Sequence, residues 1–196
     1  AMEGLNVCLQ AVTKPGDRIA VESPTFCAGL QASERLGLKV IEIPSHPREG
    51  VSLAALDDAL RHYPVKACLF MLNFANPTGS LVPDEARQAL LALLRRHDVP
   101  LIEDDVYAEL HFGQRAPLSS KAVDTTGLVM HVSSFSKSLA PGYRAGWVAA
   151  GRYAGLVQRQ KFSLSLATTI PVQMALAEYL KQGSFDKHLR QLRQTL

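Results

Sequence analysis

Apolar and polar positions along this chain recur with two different periods. Between Leu5 and Val12 the apolar side chains follow helical spacing, which predicts an amphipathic helix over residues 2–13. Elsewhere the apolar runs are short and almost continuous, as in residues 66–72 (KACLFML). A run of this kind is typical of a strand that is buried on both faces of a parallel sheet.

The two patterns alternate along the rest of the chain. Strands are predicted at residues 18–22, 38–43, 66–72, 99–103, 128–132 and 147–150. Helices are predicted at residues 2–13, 52–60, 83–97, 152–162 and 168–182, and a further helical segment follows the turn at residues 23–26 and ends near Gly37. Ser52 is predicted to cap its helix, and Pro83 to take the first helical position of the next one. Residues 44–50 are predicted to be a loop. Strands that alternate with helices favour an α/β fold with three layers, α/β/α, around a mainly parallel sheet.

Composition agrees with a globular protein and excludes little else. Of the 196 residues, 47% are hydrophobic and 20% are charged, which argues against disorder and fits one domain. The net charge of +3 is too small to indicate nucleic-acid binding by itself. Lys187, Arg190 and Arg193 are expected to form a solvated helix face.

The three cysteines do not suggest a disulfide framework or a zinc site, because no CxxC pair is present and no histidine lies at metal-ligand spacing. This usage fits a reducing cytoplasm. No apolar run approaches the roughly 20 residues needed to cross a bilayer, so no membrane association is expected. Because the sequence begins inside an apparent helix, we expect it to be a piece of a longer protein.

Three polar segments each follow a predicted strand directly. They are residues 73–79 (NFANPTG), residues 104–107 (DDVY) and residues 133–147 (SSFSKSLAPGYRAGW). In open α/β sheets, ligands bind beyond the carboxyl ends of the strands. The sequence therefore predicts one ligand site along this edge.

The third segment has the composition of a site for a phosphorylated aldehyde. Lys137 can form a Schiff base through its amine, while Ser134, Ser136 and Arg144 can bind a phosphate. Taken alone, Lys137 would more simply be a surface lysine in a turn. Together with the other two segments, it predicts a pocket for pyridoxal 5'-phosphate (PLP).

The other segments supply groups for the ring of that cofactor. Asp104 can pair with a protonated pyridine nitrogen, with Asp105 as the competitor, and we prefer Asp104 because Tyr107 follows three residues later. Asp104 could instead cap a short helix. Asn76 and Tyr107 can donate hydrogen bonds to the phenolate oxygen, although an Asn-Pro-Thr-Gly sequence is also an ordinary turn. Phe26 either stacks on the ring or belongs to the core.

Two further features concern the phosphate and the histidines. Ala1 and Met2 open a helix, so their free backbone N–H groups could face a phosphate. The six histidines are spread along the chain, and none is assigned to catalysis. No metal site is expected.

The combination of NPTG, DDVY, SFSK and the arginine after PGY closely resembles the large domain of fold-type I aminotransferases of class I/II. The resemblance covers nearly the whole chain. It implies a PLP cofactor bound as a Schiff base. The implied site residues are Lys137 as the Schiff-base lysine, Asp104 at the pyridinium nitrogen, Asn76 and Tyr107 at the phenolic oxygen, Phe26 on the ring, and Ser134, Ser136 and Arg144 at the phosphate.

The stretches AMEGLNVCLQAV, KPGDRIAVESPTF and SFSKSLAPGYRAGWVAAG are most similar to the aminotransferase-like domain of MocR-type regulators of the GntR family. That resemblance implies a PLP-binding sensor of an amino acid or related amine, a homodimer, and DNA binding through an N-terminal domain that is not in this sequence. The small C-terminal domain with its carboxylate-binding arginine is also missing. The alternative is a catalytic aminotransferase, and the pocket residues do not discriminate between the two.

Overall fold

Seven helices and seven strands follow one another along residues 1–196, all of which the computed structural model describes. The strands are β1 Arg18–Ser23, β2 Lys39–His46, β3 Gly50–Val51, β4 Val65–Phe70, β5 Leu101–Asp104, β6 Val129–Ser134 and β7 Gly146–Ala149. The helices are α1 Met2–Val12, α2 Cys27–Arg35, α3 Leu53–His62, α4 Asp84–His97, α5 Ala154–Ser165, α6 Ile170–Lys181 and α7 Ser184–Thr195.

All seven strands form a single sheet in the order β3-β2-β1-β4-β5-β6-β7. The five inner strands run parallel, whereas β3 and β7 join the two edges in antiparallel pairs. The prediction of a mainly parallel sheet is therefore confirmed. Because β1, β4, β5 and β6 are neighbours in this order, their carboxyl ends lie side by side.

Helices cover both faces of the sheet, and the side chains of each strand alternate between the two resulting cores. On β1, Ile19 and Val21 pack with apolar residues of α1 and α2, whereas Ala20 packs on the opposite face with α3 and α4. This alternation explains the continuous apolar runs of β1, β4, β5 and β6, since both faces of these strands meet a helix layer, whereas most residues of β2 are exposed or half-buried. The three-layer α/β/α architecture is confirmed.

Local sequence signals account for several helix ends. The Ser52 side chain accepts a hydrogen bond from the Ala55 backbone N–H and so caps α3, as predicted. The structure has Pro83 as the N-cap of α4, one position before its predicted place in the first turn. Helix α4 ends at His97 with Asp98 as its C-cap, whose φ of 55° is left-handed and is tolerated by aspartate.

The predicted loop at residues 44–50 is wrong in its first part. Strand β2 continues to His46 and turns back through a short antiparallel pairing with β3. Pro44 has no N–H to donate, but its carbonyl oxygen accepts a hydrogen bond from the Ser52 N–H at 2.8 Å. Pro44 and Ser45 therefore do not mark a loop here. A proline lacks only the backbone N–H, and the Pro44 carbonyl oxygen still pairs with the adjacent segment at Ser52.

The C-terminal part of the chain adds α7, which carries Lys187, Arg190 and Arg193 as the solvated helix predicted from the sequence. Arg193 also contacts Glu109, whose backbone oxygen accepts a hydrogen bond from the guanidinium at 2.7 Å. The helices are all too short or too polar to span a membrane.

Candidate functional site

Four neighbouring strands bring chemically active side chains to one edge of the sheet. Phe26 follows β1, Asn76 follows β4, Tyr107 follows β5 and Lys137 follows β6. Each lies beyond the carboxyl end of its strand, where ligands bind in open α/β sheets. The structure therefore brings together the segments that the sequence marks as polar.

Asp104 is the last residue of β5 and is almost completely buried, with 4% of its surface exposed. Its Oδ1 atom has no hydrogen-bond partner. Burial raises the pKa of the Asp104 carboxyl to about 6, although a hydrogen bond from the Val106 backbone N–H opposes the change. A buried acceptor without a donor is costly, so this oxygen is suited to an N–H donor supplied by a ligand.

The neighbouring Asp105 is fully engaged within the protein. Its Oδ1 accepts a hydrogen bond from Asn73 Nδ2 at 2.9 Å, and its Oδ2 lies 2.9 Å from His131 Nε2. Burial favours the neutral imidazole, but the hydrogen bond and charge of Asp105 outweigh it and raise the pKa of His131. Both carboxyl oxygens of Asp105 are therefore occupied, whereas Oδ1 of Asp104 is open.

Helix capping does not account for Asp104 either. The short 3-10 helix after β5 runs from Ala108 to Leu110 with Tyr107 in the cap position, and it has no side-chain cap hydrogen bond. Asp104 therefore does not occupy the cap position of this helix, although its carboxylate accepts a hydrogen bond from the Val106 backbone N–H in the preceding turn.

A buried ionic network that the sequence did not reveal supports this part of the edge. The guanidinium of Arg87, which is 1% exposed, donates to Glu103 at 3.1 Å, Asn73 at 2.7 Å and Ser120 at 3.1 Å. The ligand atoms of Glu103, Asp105 and His131 lie within 4.8 Å of one another, but each already has a hydrogen-bond partner in the protein. The sequence signal that could have revealed the burial of Arg87 is its position three residues before Leu90, on the apolar face of α4.

The Lys137 amine is accessible and unpaired. The side chain is exposed, takes part in no hydrogen bond or ion pair, and places Nζ 5.5 Å from the centroid of the Tyr107 ring. The half-buried side chains of Tyr107 and Asn76 likewise have no hydrogen-bond partner in the chain. Three groups capable of reacting with or donating to a ligand are thus free at this edge.

Phe26 is half-buried at the N-cap of α2 and packs in neither of the two hydrophobic cores. Of the two possibilities left open by the sequence, stacking on a ligand therefore fits its surroundings better than a role in the core.

Close packing assembles the region assigned to the phosphate. A Cβ atom on Gly146 would lie 3.0 Å from the Ala1 nitrogen and 2.6 Å from the Ser133 oxygen, so only glycine fits there. This contact holds the start of α1 against the ends of β6 and β7. In the same region the Ser134 hydroxyl, which is buried, accepts a hydrogen bond from the Ser136 N–H at 3.3 Å.

A cavity of about 530 Å³ opens on this phosphate side, lined by residues that include Ala1, Ser136 and Arg144. Lys137 and Asp104 are not part of its lining. Met2 begins α1, and the first N–H groups of a helix have no partner within the helix. The cavity therefore adjoins groups that can hold an anion.

Two non-glycine residues at this edge have left-handed backbone conformations, with φ values of 54° for Phe74 and 49° for Arg144. Such conformations cost energy and concentrate at ligand sites. Phe74 lies two residues before Asn76, and the Arg144 side chain donates to the Pro141 oxygen at 3.0 Å. The polar loops after β4 and β6 are thus held in unusual shapes.

Comparison with known proteins gives a consistent picture. The family described as aminotransferase class I and II matches residues 1–196. The HTH-type transcriptional regulator YdcR of Escherichia coli K12 is 50% identical over 196 residues, which are all of this chain and 42% of that protein. Aromatic-amino-acid aminotransferase 1 of Thermococcus litoralis is 32% identical over 96% of this chain and 46% of that protein.

Among solved structures, LysN of Thermus thermophilus superimposes with a TM-score of 0.90 at 30% identity, over 98% of this chain and 50% of that one. LysN is an α-aminoadipate aminotransferase and was crystallised with N-(5'-phosphopyridoxyl)-L-leucine. This chain spans less than half the length of the curated relatives described above.

Proposed function

The chain belongs to the aminotransferase class I and II family, and on that premise we propose that residues 1–196 are the PLP-binding domain of a GntR/MocR-type transcriptional regulator. The unpartnered buried Oδ1 of Asp104 carries the cofactor part of the proposal, because it is an acceptor that lacks only an N–H donor. The 50% identity to an HTH-type regulator supports the regulatory part.

The residues at the edge fit the ring end of PLP. When bound, PLP supplies an aldehyde and a ring that withdraws electrons. In the proposed site, Lys137 provides the amine that bonds to the aldehyde carbon, and Asp104 accepts a hydrogen bond from the ring nitrogen and keeps its proton in place. Asn76 and Tyr107 donate to the phenolic oxygen, and Phe26 covers one face of the ring.

A second group of residues binds the phosphate end of PLP in this proposal. The hydroxyls of Ser134 and Ser136, the Arg144 guanidinium and the free N–H groups at the start of α1, beside Ala1 and Met2, provide donors for an anion. Of these residues, Ala1, Ser136 and Arg144 line the cavity, and the Arg144 guanidinium supplies a positive charge that attracts a phosphate.

A regulator of this type binds an amino acid or related amine as its effector and contacts DNA through a separate N-terminal domain. We propose both for the whole protein, together with a homodimeric state and a location in the reducing cytoplasm that suits three free cysteines. The expected effector is a primary amine, because it must compete with Lys137 for the aldehyde.

Catalytic transamination is the second candidate, and the 32% identity to an aminotransferase over nearly the whole chain favours it specifically. In that case Lys137 would also carry the proton between the substrate and the cofactor. A transaminase assay of the full-length protein with PLP and a panel of amino acids distinguishes the regulator from the enzyme. Negligible turnover together with amine-dependent DNA binding supports the regulator, and robust turnover supports the enzyme.

Titration with PLP tests the cofactor assignment. Addition of PLP to the purified protein is expected to produce the visible absorption band of a lysine-linked cofactor. Lys137→Ala should abolish this band, whereas Lys181→Ala, which removes an exposed lysine on α6, should preserve it. Persistence of the band in Lys137→Ala would contradict the assignment.

A further inference from the structure

Glu22 is a buried acid at the same edge that none of the roles above uses. It is the next-to-last residue of β1, is 3% exposed and faces no cation. Its Oε1 accepts hydrogen bonds from the Met71 backbone N–H at 3.0 Å and from the Thr25 hydroxyl at 3.3 Å. Its Oε2 is buried and has no partner.

The Met71 contact links two loops of the site. The ladder between β1 and β4 ends with the pair Val21 and Leu69, and Met71 is the first residue beyond β4. Beyond this pair, the Met71 N–H donates to the Glu22 side chain instead of to a backbone carbonyl of β1. This bond extends the pairing of the two strands into the loops that carry Phe26 and Asn76.

Thr25 makes the same connection on the β1 side, since it lies in the turn immediately before Phe26. One carboxyl oxygen thus contacts both loops at their bases. The start of the Asn76 loop is held a second time by Asn73, whose amide donates to Asp105.

The surroundings favour the uncharged form of Glu22. Burial raises the pKa of this carboxyl to about 8, the negative charge of Asp104 adds to the effect, and the hydrogen bonds from Met71 and Thr25 only partly oppose it. Two unpartnered buried carboxyl oxygens, Glu22 Oε2 and Asp104 Oδ1, therefore lie at this edge and interact electrostatically. Two adjacent carboxyl groups in low dielectric do not readily ionise together.

We propose that Glu22 is a positioning residue of the cofactor site: as a neutral acid it fastens the Phe26 loop to the Asn76 loop and leaves Asp104 as the negative charge available to the ring nitrogen. The inference rests on the PLP-binding function proposed above. Glu22 touches no part of the cofactor in this scheme. It acts by joining the two loops. Because it is uncharged, it also adds no second negative charge near Asp104.

Two substitutions of similar size test this role. Glu22→Gln keeps an uncharged oxygen that can accept from Met71, whereas Glu22→Met fills the same space with no acceptor. We expect Glu22→Gln to bind PLP within about threefold of the wild-type Kd and Glu22→Met to bind at least about tenfold more weakly, since hydrogen bonds of this kind contribute about 1 kcal/mol each. Glu49→Gln, an exposed change in the turn between β2 and β3, is the matched control and should have no effect.

Two measurements separate positioning from a general loss of stability. At saturating PLP, the circular dichroism of the visible band reports the orientation of the ring, and it should be reduced in Glu22→Met but preserved in Glu22→Gln. Without PLP, hydrogen exchange of the Met71 amide should be faster in Glu22→Met than in Glu22→Gln.

Several outcomes would overturn the proposal. Glu22→Met with wild-type PLP affinity and dichroism would remove the positioning role, and Glu22→Gln as impaired as Glu22→Met would show that the charged carboxylate is needed. If wild-type protein binds no PLP, the cofactor function fails, and the Met71 exchange data still decide whether Glu22 fastens the loops. If Glu22→Met does not fold, wild-type affinity and Met71 exchange in Glu22→Gln support the proposal, and their loss overturns it.

Discussion

Replacement of Glu22 by glutamine should change how the stability of the protein depends on pH. Burial raises the pKa of the folded-state carboxyl to about 8 from an ordinary value of 4.5. A carboxyl with a raised pKa stabilises the folded state fully below its unfolded pKa, and this contribution is lost as the pH rises through the folded pKa. The affected window therefore extends from about pH 4.5 to about pH 8.

The magnitude follows from the same two values. At about 1.4 kcal/mol for each unit of pKa difference, the wild-type protein should lose up to about 5 kcal/mol of unfolding free energy across this window because of Glu22. Glutamine does not ionise, so Glu22→Gln should escape this loss. The unfolding free energy of the variant minus that of the wild type should rise steadily between about pH 4.5 and about pH 8 and stay constant below that window.

Urea unfolding of both proteins at half-unit intervals from about pH 4 to about pH 8.5 measures this difference. Titration of the groups that do not interact with Glu22 cancels, because they are present in both proteins; Asp104 interacts with Glu22 and is the exception. Glu49→Gln, in which an exposed carboxyl in the turn between β2 and β3 is replaced, is the matched control. A flat or falling difference for Glu22→Gln would mean that Glu22 is ionised in the folded protein at neutral pH, and the argument from its unpartnered oxygen would be refuted.

Three further substitutions probe the site and its support. Asp104→Asn should weaken PLP binding by about 10- to 100-fold through loss of a charge-assisted hydrogen bond. Asp105→Asn should chiefly lower the melting temperature. If a PLP titration shows the larger loss of affinity for Asp105→Asn, the ring-nitrogen role belongs to Asp105. Arg87→Met should reduce the unfolding free energy by about 3–5 kcal/mol because Glu103 remains buried without its cation, and urea unfolding indistinguishable from wild type would refute this. Gly151→Ala should destabilise by about 2 kcal/mol or more, since φ is 55° and a Cβ would collide with a main-chain oxygen; an unchanged calorimetric melting temperature would contradict it.

The sheet and most of its strands were predictable from the sequence because β1, β4, β5 and β6 are buried between helices, and that burial leaves a continuous apolar run. The boundaries were less predictable. Strand β5 begins at Leu101, two residues later than predicted, and includes Asp104. Residues near Pro44 form part of a strand since an antiparallel neighbour tolerates a missing N–H there.

The candidate site was largely visible in the sequence because its residues follow the strands directly. The sequence did not distinguish the role of Asp104 from that of Asp105 as clearly, since two carboxyl groups at consecutive positions are equivalent candidates until their hydrogen-bond partners are known. Only the fold brings Asn73 and His131 to Asp105, across sequence separations of 32 and 26 residues. The buried acid Glu22 and the buried cation Arg87 gave weak local signals, because their partners lie on other elements.

By itself, the sequence determined the α/β class and the polar segments that meet at one edge of the sheet as a candidate site, because periodicity and the order of strands and polar segments are local properties of the chain. The tertiary structure alone decided which carboxyl group has an open oxygen, which arginine is buried against Glu103, and which acid accepts the Met71 amide. These outcomes depend on burial and on hydrogen bonds between distant segments. Both arise only when the strands lie side by side.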